Sequence, residues 1–177
     1  MPEIHLLSQS TIDQIAAGEV VERPASVVKE LVENAIDAGA DAVTVEIKDG
    51  GLSLIRVTDN GCGIDKSQIK RAFLRHATSK ISTIDDLSFV ESLGFRGEAL
   101  SSIAAVAQVE AITKTEKELT GIRYAIAGGM EEDVEEIGAP KGTTFLVHNL
   151  FYNTPARRKF MKQPKTEGGY VSDLMEH

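Results

Sequence analysis

Two polar side chains stand beside the apolar stripe of a predicted helix, and their types suggest chemistry. The segment 25–38 follows Pro24 and precedes Gly39, which are typical residues for a helix start and a helix stop. Glu30 and Asn34 are one helical turn apart, so their side chains lie one above the other. A glutamate can act as a base, and an asparagine carbonyl oxygen is a ligand that magnesium accepts. A polar edge that faces solvent is the alternative interpretation.

A carboxylate is also predicted on the inner face of a strand. Segments 42–48 and 52–59 flank a turn at 49–51 and predict a hairpin. Ile55, Val57 and Asp59 share one face by the period of two, so Asp59 points towards the core. A buried carboxylate needs a hydrogen-bond donor. Either the protein itself or the amine of a ligand supplies that donor.

Glycines at two places allow a close approach to the backbone. The run Asn60-Gly61-Cys62-Gly63 predicts a sharp turn, and it is not a dinucleotide fingerprint because Lys66 occupies the third glycine position. Gly94 and Gly97 precede a helix predicted at 98–105, whose free N–H groups and dipole suit a phosphate. The sequence contains no Gly-Lys-Ser/Thr phosphate loop.

Composition restricts the class of protein. The 177 residues carry a net charge of −8 and are 42% hydrophobic, as expected for one domain with a sizeable core. We find no long apolar run and no secretory leader, and the single cysteine, Cys62, fits a reducing compartment. The acidic balance argues against strong binding to a phosphate backbone, although residues 156–159 are locally basic.

The remaining pattern predicts a sheet with accompanying helices. A polar loop is expected at 77–82, and Asn153-Thr154-Pro155 is expected to cap a helix. Strands are predicted at 107–114, 122–126, 130–137 (an acidic edge) and 143–150, and further helices at 10–17, 66–76 and 170–176. Together these elements supply a base, a metal ligand, an acceptor for an amine, a loop that could close over a ligand, and a phosphate-binding loop. These groups are the ones needed to bind and hydrolyse a nucleotide with magnesium.

The sequence resembles the N-terminal ATPase domains of the MutL family of DNA mismatch repair proteins, within the GHKL superfamily. Runs 14–21, 29–39, 59–63 and 75–80 carry this resemblance, and it extends over nearly the whole chain. Two further runs resemble the mismatch-repair branch specifically: Gly94-Phe95-Arg96-Gly97-Glu98-Ala99-Leu100 and Phe151-Tyr152-Asn153-Thr154-Pro155-Ala156-Arg157.

The resemblance implies a fold and a set of roles. The fold would be α/β, a two-layer sandwich of helices on a mixed, mostly antiparallel sheet, with one domain over 1–177 that stops before a second (transducer) domain. ATP and Mg²⁺ would be the ligands: Glu30 would be the general base, Asn34 the magnesium ligand, and Asp59 the acceptor for the adenine amine. The remaining implied contacts are Ala38, Gly61, Gly63, Ile64 and Thr143 around adenine, Thr78, Ser79 and Lys80 in a lid, and Gly94, Phe95, Arg96, Gly97, Glu98, Ala99 and Leu100 at the phosphates.

The resemblance also implies a biological setting. ATP would order the lid and drive self-association, and hydrolysis would be slow. DNA, a mismatch-recognition protein and other repair factors would be partners of the longer protein, which would be cytoplasmic, on the nucleoid during repair and independent of membranes. The alternatives are a nucleotide-independent module that binds DNA or proteins, and another GHKL enzyme such as a topoisomerase subunit or a kinase.

Overall fold

An antiparallel sheet of six strands is the framework of the molecule. The structure is a computed structural model, and it describes residues 12, 14, 15, 17, 21–74 and 99–176. The order along the sheet is β1-β2-β6-β3-β4-β5, and every pairing between described strands is antiparallel. The strands are β1 (Val43–Lys48), β2 (Leu54–Asp59), β3 (Gln108–Lys114), β4 (Gly121–Ala127), β5 (Met130–Ile137) and β6 (Gly142–His148). Because β6 inserts between β2 and β3, the end of β2, the start of β6 and the end of β3 lie side by side.

Helices cover one face of this sheet. They are α1 (Pro24–Asp37), α2 (Ile69–Ala72), α3 (Ala99–Val106), α4 (Pro155–Lys159) and α5 (Pro164–Glu176). Helix α1 contacts β1, β2 and α5, whereas α3 contacts β3 and β4. Apolar side chains from these helices and from alternate strand positions form one buried core, which confirms the predicted α/β two-layer sandwich. Members of the core include Val27, Leu31, Ile55, Val57, Ile103 and Val147.

The start and the stop of α1 follow the sequence prediction. Pro24 lies in the first turn, and Gly39 follows the helix at φ +75°. Leu31 and Ala35 are buried on the inner stripe, while Ala38 lies just past the end as the C-cap residue. The helix is therefore fixed in position by apolar burial on one side and by residues that suit its two ends.

The helix predicted at 66–76 is much shorter than expected. The Asp65 carboxylate accepts hydrogen bonds from the backbone N–H of Ser67 (2.8 Å) and from its hydroxyl (2.6 Å). The Asp65 carbonyl also accepts from the Gln68 N–H at 2.8 Å. This local turn occupies the first positions and leaves only Ile69–Ala72 as α-helix.

Several other boundaries differ by a few residues. The turn at 49–51 has three consecutive positive φ values and forms a short 3-10 helix, so the return strand begins at Leu54 instead of residue 52. The last strand ends at His148, before Asn149 at φ +53°. The predicted acidic edge is confirmed in β5, where all residues but the last are exposed. The helix predicted at 170–176 is the second half of α5.

The cap predicted at Asn153-Thr154-Pro155 is only partly present. Thr154 takes the N-cap position of α4, but its side chain makes no capping hydrogen bond. Asn153 instead donates its side-chain amide to the carbonyl of Ala105 at 2.9 Å, which ties this loop to α3. Half of the helix predicted at 10–17 lies outside the described residues, and its described residues 12, 14, 15 and 17 are helical. All of the loop predicted at 77–82 lies outside the described residues. No described helix is long and apolar enough to span a bilayer.

Candidate functional site

The Asp59 carboxylate lies inside the protein at the end of β2. Asp59 is 9% exposed, which confirms the inward orientation predicted from Ile55 and Val57. Its Oδ1 atom accepts the backbone N–H of Gly61 at 2.8 Å and that of Thr143 at 3.3 Å. Burial raises the pKa of this carboxyl above its ordinary value, and the two backbone donors offset part of that rise. The protein therefore supplies donors to one oxygen, at a position where the charged form is costly.

The sheet register aligns Asp59 with two buried threonines on the neighbouring strands. Thr143 in β6 stands opposite Asp59, and Thr113 in β3 stands opposite Thr143. The two hydroxyl oxygens are 2.8 Å apart, and both side chains are buried. Thr113 was not singled out in the sequence. The period-two pattern of Val109 and Ala111 would have placed it on the inner face.

The loop after β2 fits tightly against the end of α1. The Cys62 N–H donates to the Ala38 carbonyl at 3.0 Å. A Cβ atom added to Gly61 would lie 2.8 Å from the Cβ of Ala38, so only glycine fits there without a shift. Asn60 secures the same loop, because its Oδ1 accepts the backbone N–H groups of Asp41 and Ala42 at 2.8 and 3.1 Å.

The other side of this loop fits against the end of β3. Gly63 has a φ of +73°, and an added Cβ would lie 2.1 Å from the carbonyl oxygen of Lys114. The next N–H, that of Ile64, donates to the Thr113 hydroxyl at 2.8 Å. The two glycines therefore hold the loop between α1 and β3, beside Asp59.

Helix α1 brings a row of candidate residues to the same place. Glu30, Asn34 and Ala38 are spaced four residues apart, so they lie along one side of the helix, and Ala38 contacts the loop at Gly61. Asn34 is 7% exposed, and its Nδ2 atom has no hydrogen-bond partner among the described residues. A buried amide of this kind is costly unless another polar group reaches it. Glu30 is partly buried, with one carboxylate oxygen inaccessible to solvent.

Asn34 also carries a side-chain oxygen, which is a ligand type accepted by a magnesium ion that is held mainly by phosphate oxygens. Mg²⁺ in phosphate-bound sites usually takes one or two protein side chains together with substrate oxygens and water. An amide oxygen from Asn34 meets that need. Within the described ranges, no three His, Cys, Asp or Glu side chains group together as an all-protein metal site.

The structure brings together part of the predicted site. Ala38, Asp59, Gly61, Gly63, Ile64 and Thr143 meet around the end of β2. Ala99 and Leu100 are buried at the start of α3. The predicted lid residues Thr78, Ser79 and Lys80, and the predicted phosphate residues Gly94, Phe95, Arg96, Gly97 and Glu98, lie outside the described residues.

The basic segment predicted near residues 156–159 is helical, and one of its cations is used internally. Arg158 donates its guanidinium to the carbonyl of Leu150 at 2.9 Å. Phe160, just after α4, is 82% exposed. This segment is separate from the cluster around Asp59, and its interaction with DNA stays a prediction.

Comparison with known proteins gives these residues a context. Residues 22–145 match the family model described as histidine kinase-, DNA gyrase B-, and HSP90-like ATPase. The chain is 69% identical to the DNA mismatch repair protein MutL of Agathobacter rectalis over 99% of its own length and 27% of that protein. The corresponding protein of Acidobacterium capsulatum is 56% identical over 100% of this chain and 27% of its own length. The chain thus spans about a quarter of these curated relatives.

Solved structures agree with the sequence matches. The Aquifex aeolicus MutL ATPase domain complexed with ADP is 35% identical, with a TM-score of 0.70 over 88% of this chain and 54% of that one. The N-terminal domain of a DNA repair protein is 36% identical, with a TM-score of 0.81 over 96% of this chain and 50% of that one. The chain therefore belongs to the family of histidine kinase-, DNA gyrase B- and HSP90-like ATPases, and within that family it is similar to MutL proteins.

Proposed function

We propose that this chain binds ATP together with Mg²⁺ and hydrolyses it slowly, as the ATPase module of a DNA mismatch repair protein. The observation that carries the proposal is the buried Asp59, flanked by Thr143 and by the glycine loop at 61–63. Its relative from Aquifex aeolicus has been solved in complex with ADP, which supports a nucleotide as the ligand.

The adenine ring is held at Asp59. The carboxylate accepts from the exocyclic amine, and Thr143 contributes a hydroxyl, directly or through a shared water. Burial favours this recognition because a hydrogen bond to a charged acceptor is stronger where water is excluded. Ala38, Gly61, Gly63 and Ile64 line the adenine pocket.

Hydrolysis uses the polar row on α1. Asn34 is the protein ligand for Mg²⁺, which would neutralise charge on the phosphates when bound. Glu30 accepts a proton from a water molecule whose oxygen forms a bond to the γ-phosphorus. The bond from that phosphorus to the bridging oxygen breaks, which gives ADP and inorganic phosphate. The backbone of residues 94–100 holds the phosphates, consistent with the glycine-containing approach to α3.

ATP acts as a switch as well as a substrate. The lid that contains Thr78, Ser79 and Lys80 orders over the nucleotide, and two ATPase domains then associate. DNA, the mismatch-recognition protein and other repair factors are partners of the longer protein, since this chain spans about a quarter of its curated relatives. The protein works in the cytoplasm, on the nucleoid during repair.

The test is a calorimetric titration of the chain with a non-hydrolysable ATP analogue, with and without Mg²⁺. Binding should require Mg²⁺, and Asp59→Asn should weaken it about 100-fold because an amide N–H then faces the adenine amine. Glu30→Ala should bind the analogue within about threefold of wild type yet lose at least about 100-fold in ATP turnover. Sedimentation of the same samples reports self-association.

The alternatives predict different results. DNA binding that is strong, salt-sensitive and unaffected by nucleotide would favour the interaction module. Transfer of phosphate to a histidine of a partner protein would favour a kinase. If Glu30→Ala hydrolysed ATP at the wild-type rate, the assignment of the base would be wrong.

A further inference from the structure

The hydroxyl of Thr113 lies at the centre of a small buried polar network. The residue is 0% exposed, and its Oγ1 atom has three polar neighbours, one from the glycine loop and two from the start of β6. These are the Ile64 N–H at 2.8 Å, the Gly142 carbonyl oxygen at 3.1 Å and the Thr143 hydroxyl oxygen at 2.8 Å. Thr113 therefore joins the glycine loop to the start of β6.

The hydrogen-bonding capacity of a hydroxyl decides how these contacts are shared. A hydroxyl has one proton and two lone pairs. The Ile64 N–H can only donate to Thr113, and the Gly142 carbonyl can only accept from it. If Thr113 gives its proton to Gly142, its second lone pair accepts the proton of Thr143, and all three contacts are hydrogen bonds.

The opposite arrangement satisfies fewer groups. If Thr113 gave its proton to Thr143 instead, the buried Gly142 carbonyl would lose this donor. A buried polar group that loses its partner is costly, so the first arrangement is favoured. In the first arrangement the hydroxyl proton of Thr143 points at Thr113, and the lone pairs of Thr143 remain available to a ligand beside Asp59.

We propose that Thr113 is a positioning residue that makes Thr143 a hydrogen-bond acceptor, and that it thereby sets the preference of the Asp59 site for a 6-aminopurine over a 6-oxopurine. This inference rests on the proposed function, since it concerns the base that the nucleotide site selects. Thr113 reaches the base through Thr143 and the loop at Ile64, and it does not contact the reacting phosphates.

The chemistry of the two purine edges explains the preference. Adenine carries an amine at C6, which presents donors, whereas a 6-oxopurine presents an acceptor at that atom. Asp59 and the fixed Thr143 both present acceptors, so they match the amine and place lone pairs against a 6-oxo group. Without Thr113, the Thr143 hydroxyl is free to rotate and to donate to the 6-oxo group.

The test compares Thr113→Val, which keeps the shape and removes the hydroxyl, with Thr113→Ser, which keeps the hydroxyl. Each 177-residue variant is titrated with Mg²⁺-ADP and Mg²⁺-inosine diphosphate, whose bases differ only at C6 and N1. Thr113→Val should weaken ADP binding about tenfold and leave inosine diphosphate within about threefold, so that the ratio of affinities falls. Thr113→Ser should restore the wild-type ratio.

A merely structural role gives another pattern. It would weaken both nucleotides to the same extent, and that result would overturn the inference. Thr113→Val in a Thr143→Val background should change ADP affinity by less than about twofold, since the residue through which it acts is gone. If Thr113→Val and Thr143→Val instead lowered ADP affinity independently, so that their factors multiplied in the double variant, the inference would also be overturned. If Thr113→Val does not fold, Thr113→Cys, with only a weak donor and acceptor, is interpreted in the same way.

The same titrations separate this inference from the proposed function. Wild-type protein that bound neither nucleotide would contradict the proposed function itself. Wild-type protein that bound ADP, with an unchanged nucleotide ratio in Thr113→Val, would contradict only the role of Thr113.

Discussion

Asp59 is the residue at which folding stability and the proposed adenine binding are opposed. Burial disfavours the charged form of the Asp59 carboxyl, and the two backbone N–H groups that donate to Oδ1 offset this effect only in part. The pKa of Asp59 in the folded protein therefore lies above its ordinary value of 3.8. A ligand amine that reaches Asp59 adds a further donor to the charged form. The proposed adenine amine would therefore stabilise the charged form of Asp59.

This arrangement predicts a pH dependence of folding. Between pH 3.8 and the higher pKa of the folded state, the unfolded chain releases the proton of Asp59 while the folded chain retains it. The contribution of Asp59 to the free energy of unfolding therefore falls as pH rises through that window, and it is constant above it. Asp59→Asn removes this contribution but keeps an oxygen for the Gly61 and Thr143 N–H groups.

Urea unfolding of wild type and Asp59→Asn at pH values from about 3 to 7.5 measures the effect. The variant should gain stability relative to wild type as pH rises through the window, although we expect it to bind the nucleotide poorly. The other acidic residues titrate in both proteins and cancel in the difference. A difference that shrinks with rising pH would contradict the inferred shift.

At the scale of the element, the glycine loop at 61–63 depends on close contact with its neighbours. Gly61 has no room for a Cβ because of Ala38, and Gly63 has none because of Lys114. The loop joins α1, β2 and β3 at the point where Asp59 stands. Its shape is consequently set by both helix and sheet.

The substitution Gly63→Ala should lower the free energy of unfolding by at least about 3 kcal/mol and abolish nucleotide binding, because the new Cβ meets a backbone carbonyl. Gly129→Ala is the matched control, since its φ of +81° is similar but nothing lies within 4 Å of the added atom. That variant should lose only about 1 kcal/mol, the cost of positive φ. Equal losses, measured by urea unfolding, would show that contact with Lys114 is unimportant.

At the scale of the whole molecule, α5 is fastened to the start of α1 through the turn at 49–51. A Cβ added to Gly51 would lie 2.6 Å from Pro24, and one added to Gly50 would lie 2.5 Å from the carbonyl of Pro164. Further along α5, the guanidinium of Arg23 lies 4.4 Å from the ring centroid of Tyr170. Helix α1, which carries Glu30 and Asn34, and helix α5 are therefore both packed against this turn.

Glu167 lies in the same contact region, between α5 and the start of α1. It is 1% exposed, and its carboxylate accepts the Lys162 N–H at 2.9 Å. A guanidinium nitrogen of Arg23 lies 3.9 Å from the other carboxylate oxygen, beyond hydrogen-bond distance. A buried carboxyl group of this kind depends on the neighbouring helix ends staying in place.

Gly50→Ala should therefore detach α5 from the turn. We expect a loss of about 2–4 kcal/mol in the free energy of unfolding, again against about 1 kcal/mol for Gly129→Ala. Limited proteolysis should cleave Gly50→Ala within 164–176 faster than either wild type or the control. Unchanged cleavage of that segment would contradict the close contact between Gly50 and Pro164.

Elements whose signals are local could be predicted from the amino-acid sequence. Apolar periodicity and the flanking Pro24 and Gly39 gave α1 nearly to the residue, and the period of two placed Asp59 on the inner face. Recognisable residue runs indicated the family, because an ATP site is built from short segments whose residue types are fixed by chemistry. The roles of Glu30 and Asn34 come from the same source and remain predictions.

Contacts between distant residues could be read only from the folded chain. The position of β6 between β2 and β3 brings Thr143 and Thr113 beside Asp59, and strand order is not encoded in any local pattern. The shortened α2 has a different, local cause, because Asp65 hydrogen-bonds to Ser67 where apolar spacing favoured a helix. Local periodicity states which face a side chain occupies, whereas its partners depend on strand neighbours that lie tens of residues away.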